Sequence, residues 1–141
     1  MIEAYMCHHI RGPKGDDSTP EEREANRNDA IKVAKALESM MPNLSVYCPG
    51  GNDTWGEVAY SRGILTIDKI LEIDCAIIDT MDCVLVYDKY PTRSGGMKVE
   101  IEYCAKMNKP YCSFTLVNWD TPRYLGVHLP MLAKKEPKCL K

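Results

Sequence analysis

An α/β domain with a parallel sheet is the fold class this sequence predicts, and three observations carry that prediction. Four short runs rich in β-branched, aromatic and other apolar residues, 2–10, 44–48, 83–87 and 111–117, alternate with three stretches of helical period. The segments between successive runs each exceed the roughly dozen residues that a parallel crossover needs. A chain of 141 residues with 45% hydrophobic content suits one domain with a sizeable core, and it carries no internal repeat and no linker. Helices covering both faces of such a sheet make a single Rossmann-like, flavodoxin-like domain over residues 1–141.

The elements follow in order. After the first run, Thr19-Pro20-Glu21-Glu22 supplies an N-cap, a proline at the first helical position and a capping-box glutamate at N3. The apolar face of this helix recurs at Ala30, Ala34, Leu37 and Met41, until Pro42 stops it. A second helix, ahead of the third run, carries Ile64, Ile67, Ile70, Leu71, Ile77 and Ile78 on one broad stripe. The third starts near Gly96, uses Ile101, Cys104 and Ala105, and ends before Lys109-Pro110. Beyond Val117, residues 118–141 hold three prolines and no clear period, so no element is expected there.

Composition narrows the function classes. Eighteen Lys and Arg against twenty Asp and Glu give a net charge of -2, so no basic field points to a nucleic-acid polymer. No apolar run reaches the roughly 18 residues that span a bilayer. The first residues lack a basic segment ahead of a long apolar one, so no signal peptide is expected and the protein is read as soluble and cytoplasmic. Seven cysteines (Cys7, Cys48, Cys75, Cys83, Cys104, Cys112 and Cys139) form no CxxC pair and are odd in number. Reduced, mostly buried thiols are expected, with neither a zinc site nor a cysteine nucleophile.

Ligands of open parallel sheets bind beyond the carboxyl ends of the strands. That edge is made of three loops, 11–19, 49–61 and 88–96, all rich in Gly, Pro and polar residues. Asp74 is the most informative residue near them. Its helical neighbours are Ile70, Leu71, Ile77 and Ile78, and a carboxylate on an apolar stripe must either be satisfied locally or serve a site. Ser94-Gly95-Gly96 follows a strand and opens a helix, where free amides and the helix dipole favour an anion. Glu100 lies one turn further on; a helical glutamate faces solvent by default. Arg11-Gly12-Pro13-Lys14-Gly15 offers two cations and two glycines at a strand end, suiting phosphate, but it is neither a Walker loop nor a GxGxxG turn. Adjacent His8 and His9 point to opposite strand faces and cannot share one metal; they are structural or line the site. Trp55 and Tyr60 are aromatic enough to stack on a base.

Residues 5–12, Tyr-Met-Cys-His-His-Ile-Arg-Gly, resemble the opening strand and phosphate loop of the 2'-deoxynucleoside 5'-phosphate N-hydrolases, within the nucleoside 2-deoxyribosyltransferase superfamily. The resemblance continues through Asp74, Asp82-Cys83-Val84-Leu85-Val86, Ser94-Gly95, Glu100, Ala105 and Lys109-Pro110. It implies that Glu100 is the nucleophile toward C1' of the sugar, that Asp74 protonates or orients the departing base, and that Tyr5 orients the nucleophile. Arg11, Gly12, Ser94, Gly95 and Gly96 would line the phosphate pocket. Ser94, where the transferases of the superfamily carry Asp, favours a nucleoside 5'-monophosphate over an unphosphorylated nucleoside. The implied activity is hydrolysis of an N-glycosidic bond, with no cofactor and no metal. Base exchange by a deoxyribosyltransferase and a non-catalytic nucleotide-binding module are the alternatives. The resemblance also implies a homodimer or larger assembly; 50–63 and the C-terminal segment, with Trp119, Asp120 and Arg123, do not match.

Overall fold

The computed structural model of the protein describes residues 1–133; Cys139 lies outside them. Four strands, β1 (Ile2–His8), β2 (Leu44–Tyr47), β3 (Cys83–Tyr87) and β4 (Tyr111–Phe114), form one sheet in the order β2-β1-β3-β4. Every pairing is parallel, with Ile2 opposite Leu44, Ala4 opposite Cys83 and Val84 opposite Tyr111. Among the described residues five α-helices surround it: α1 (Pro20–Met40), α2 (Asp53–Ser61), α3 (Ile67–Asp79), α4 (Gly95–Lys106) and α5 (Thr121–His128). The α/β prediction therefore stands. From β1 the chain crosses through α1 to β2 on one side; β3 and β4 lie on the other. The topological switch point thus falls between the carboxyl ends of β1 and β3.

Period-2 alternation along the central strands sorts their side chains between two cores. Ala4 and Met6 of β1, with Cys83, Leu85 and Tyr87 of β3, pack beneath α1 and α5 against Ala30, Ala34, Leu37 and Leu125. Tyr5 and Cys7, with Val84 and Val86, face α3 and α4 at Ile78, Met97 and Cys104. The predicted face of α1 is buried at all four positions, and its capping box is complete: Thr19 Oγ1 accepts from Glu22 N–H, while the Glu22 carboxylate accepts from Thr19 N–H.

Two helices lie where none was expected. α2 occupies the loop 49–61; with Gly56 inside it, its turns carry little periodic signal. α5 falls in the stretch read as patternless. Its prolines, Pro122 and Pro130, open helical turns rather than break them, and Leu125, Leu129 and Leu132 are the buried stripe. The strands are also shorter than the apolar runs, β1 stopping at His8 and β4 at Phe114. Residues 134–141 of the expected patternless tail lie outside the described residues. The six described cysteines are free thiols, four of them buried. No helix among the described residues is long and apolar enough to cross a membrane.

Candidate active site

Glu100 departs from the default for a helical glutamate. It sits on α4 at 7% exposure, facing β1 rather than solvent. Tyr5, on the strand face that looks at α4, donates its hydroxyl to Glu100 Oε1 at 2.8 Å. Cys7, two residues on and therefore on the same face, lies close enough to that carboxylate to act on its ionisation. Burial pushes the Glu100 carboxyl up from 4.5 to about 7; Cys7 and the Tyr5 bond oppose the rise, and the charge of Asp74 adds to it. Glu100 therefore stands near half-ionisation at neutral pH. Tyr5 is raised far above its ordinary range by burial and by the Glu100 and Asp74 charges, so it keeps its proton and remains a donor. Its ring stacks on Tyr47 of β2, with centroids 5.8 Å apart, which fixes the direction of the hydroxyl.

Asp74 reaches this group from α3. Ile78 of its stripe is buried, whereas Ile70, Leu71 and Ile77 are only half-buried, so the carboxylate lies on a half-covered apolar face beside Glu100. Three of the residues singled out in the sequence, Tyr5, Asp74 and Glu100, are thus brought together.

The first turn of α4 lies at the carboxyl end of β3, on the same edge of the sheet. Ser94 is the N-cap: its Oγ accepts from Met97 N–H at 3.3 Å and its carbonyl from Lys98 N–H at 3.0 Å. Gly95 and Gly96 follow as the first two helical residues, where amides have no partner within the helix, and the Ser94 hydroxyl proton is not used by its cap. Ser94 precedes Glu100 by six residues, about 9 Å along the helix. Arg11 is placed differently from the expectation. Its guanidinium pairs with Asp16 of its own loop, half-exposed, rather than standing free at the strand end. Gly12 has a packing reason: φ is +69°, and a Cβ there would meet the Tyr90 ring at 3.0 Å and Asn26 Nδ2 at 3.2 Å.

Other members of the resemblance are structural. Asp82 lies at the opposite end of the sheet, where its carboxylate accepts from Glu3 N–H at 2.8 Å. Lys109 donates to the Met81 carbonyl at 2.6 Å. Trp55 and Tyr60 lie exposed on α2.

The segment leaving β3 holds residues that sequence reasoning passed over. Asp88 forms a two-point ion pair with Arg93, at 2.9 and 2.8 Å. Asn26 of α1 is buried, donates to the Ile10 carbonyl at 2.8 Å and accepts from Tyr90 Oη at 2.8 Å. Asn26 continues the stripe of Ala30 and Ala34 by one more step of four, and a polar residue on an apolar stripe was the signal that marked Asp74. The two histidines differ in their partners. His8 is satisfied: Nδ1 donates to the His9 carbonyl and Nε2 accepts from Gly50 N–H, both at 3.0 Å, and burial lowers its pKa. His9 is 2% exposed with neither ring nitrogen hydrogen-bonded.

Among the described residues, no three His, Cys, Asp or Glu side chains are gathered as a metal ion would require. A concavity of about 400 Å³ lies elsewhere, between the end of β4 and α5. Its polar lining is largely self-satisfied, Tyr124 Oη donating to the Ser113 carbonyl and Thr121 Oγ1 accepting from Asn118 N–H, both at 2.9 Å. The titratable chemistry is at Glu100. Compared with protein-family models, curated proteins and solved structures, the chain matches none.

Proposed function

We propose that the protein is an N-glycosidase that hydrolyses a nucleoside 5'-monophosphate to free base and sugar 5-phosphate. The observation that carries this reading is the buried Glu100 carboxyl, held by the Tyr5 hydroxyl at 2.8 Å and raised to about 7 beside the carboxylate of Asp74. Two carboxyl groups carried on neighbouring helices form the pairing that glycoside cleavage uses.

In the ionised form, a Glu100 oxygen attacks C1' as the C1'–N bond breaks, and the bonding electrons leave with the base. In this productive form the proton that the pair shares is on Asp74, and the base nitrogen takes it from there. The carboxylate stabilises the oxocarbenium-like transition state and then holds the sugar as an ester. Water adds to C1', its proton returning to Asp74, and the sugar leaves with a hydroxyl at C1' while Glu100 is regenerated. Tyr5 steadies the attacking oxygen. The first turn of α4, with the Ser94 hydroxyl and the Gly95 and Gly96 amides, is suited to the 5'-phosphate. Arg11 adds charge once it leaves its exposed partner Asp16, a pair that holds little by itself. The same reading takes the protein as cytoplasmic and as a homodimer or higher assembly.

The test is a chromatographic assay for free base with each common ribo- and deoxyribonucleoside monophosphate. Base release is expected from at least one of them, and Glu100→Ala should lower it by several orders of magnitude while nucleotide still binds. Wild-type rates in Glu100→Ala would dismiss Glu100 as nucleophile. Base exchange without hydrolysis would identify a transferase, and binding without either would identify a non-catalytic module.

A further inference from the structure

His9 is the buried polar group that the proposed chemistry leaves without a task. It ends the β1 side of the switch point and is 98% covered, yet both imidazole nitrogens lack a hydrogen-bond partner among the described residues. Buried polar atoms are nearly always satisfied, so two orphans on one ring imply a missing partner. Its other contacts are apolar or charged. Tyr90 packs edge-on against it, with centroids 5.1 Å apart at 88°. The charges facing it are Asp88, Lys89 and Arg93, while His8 beside it is held neutral by burial. Asp88 and Arg93 are tied to each other, and Lys89 is tied to Asn26 at 3.2 Å and to Asp29 at 3.5 Å. None of these offers His9 a bond. Arg93 leads directly into Ser94, so the loop that closes over His9 also delivers the open first turn of α4.

We propose that His9 is a ligand-contacting residue of this crevice, donating a hydrogen bond to the phosphate of a phosphorylated sugar and taking up a proton as that ligand binds. The inference deepens the proposed function and rests on its phosphorylated ligand, but not on turnover. In the empty protein, burial lowers the pKa of His9 first; Arg93 and Lys89 lower it further and Asp88 opposes them. Arg93 is matched by Asp88 and Lys89 by Asp29, so no net negative charge around the ring favours the imidazolium. A phosphate dianion supplies one, and an opposite charge within reach raises the pKa of an imidazole. The proton comes from solvent and goes to the free ring nitrogen, so both nitrogens become donors.

The chain has three histidines, which makes side-chain NMR direct. Signals are followed in the full chain against pH, with inorganic phosphate, 2-deoxyribose 5-phosphate and an unphosphorylated deoxynucleoside as probes. His9→Phe identifies its resonance. The phosphorylated probes should shift that resonance and raise its pKa by a unit or more, and the heat of binding should vary with buffer in the sense of proton uptake. His9→Phe keeps the edge contact with Tyr90 and removes both orphans. It should raise the melting temperature of the empty protein while weakening deoxyribose 5-phosphate binding at least tenfold. If His9→Phe fails to fold, His9→Asn takes its place, and the wild-type titration stands independently. An unmoved His9 resonance, unchanged affinity in the variant, or an equal response to the unphosphorylated nucleoside would overturn the proposal. A His9 response to phosphate without base release would remove the glycosidase reading and leave this site intact; base release with an unresponsive His9 would do the reverse.

Discussion

The two faces of β1 carry opposite kinds of side chain. Toward α1 and α5 the strand presents Ala4 and Met6, buried with Leu37, Leu85 and Leu125 in an apolar layer. Toward α3 and α4 it presents Tyr5 and Cys7, equally buried; Tyr5 bonds the carboxyl group of Glu100, and Cys7 lies near it. One strand thus packs an apolar layer with its even residues and meets a buried carboxyl group with its odd ones. The arrangement follows from the pleat: a parallel strand covered on both sides has two interiors. Low exposure therefore does not separate core from site in this molecule; the chemistry of the partner does.

That contrast can be broken most directly at adjacent positions. Met6→Ala leaves a cavity in the apolar layer and should destabilise the protein by about 2–5 kcal/mol in denaturant unfolding, with the pH dependence of base release unmoved. Tyr5→Phe keeps the ring and removes the bond to Glu100, so the larger effect should be on chemistry. That bond favours the ionised carboxylate, and its loss should move the acid limb of the pH–rate profile above pH 7. If Met6→Ala moved the limb and Tyr5→Phe did not, the division between the two faces would be wrong.

The next effect is smaller and opposite in sign to that of an ordinary buried mutation. The folded protein keeps the Glu100 proton up to about pH 7, whereas the unfolded chain releases it near 4.5. Between those values the folded state binds more protons, so stability falls as pH rises, and the contribution is fully present only below 4.5. The full span is roughly 3 kcal/mol. Glu100→Gln lacks this penalty. Its melting temperature should match the wild type near pH 4, exceed it increasingly toward pH 8, and do so while turnover is lost. Parallel curves across that range would mean that Glu100 is ionised throughout and that the crevice is wetter than its burial implies.

Much of this was legible in the sequence, and the failures have physical causes. Ala30, Ala34, Leu37 and Met41 marked the α1 face because a long helix repeats its period several times. Asp74 stood out because a charge interrupted such a repeat. α5 escaped notice although Leu125, Leu129 and Leu132 are spaced helically, since three prolines obscure a period in 118–141, yet Pro122 and Pro130 both begin helical turns. Nothing local announced that Cys7 would meet Glu100, 93 positions away; that contact exists only once α4 crosses back over β1. The Asp88–Arg93 pair was hidden likewise, because two charged residues in a loop look the same whether they face water or a crevice.

Ser94 sharpens the comparison at the smallest scale, because one hydroxyl serves both structure and site. As N-cap it accepts from Met97 N–H, and as a proposed phosphate ligand it donates its own proton. Ser94→Ala removes both roles: it should cost about 1 kcal/mol in stability and raise KM for the monophosphate. Ser94→Asp separates them. Aspartate caps a helix as well as serine does, so the melting temperature should be close to wild type. Its charge would oppose the phosphate, so monophosphate affinity should fall below that of Ser94→Ala, while an unphosphorylated nucleoside should be spared. If Ser94→Asp bound the monophosphate as well as wild type, the phosphate would have to sit away from the first turn of α4, leaving Ser94 as a cap alone.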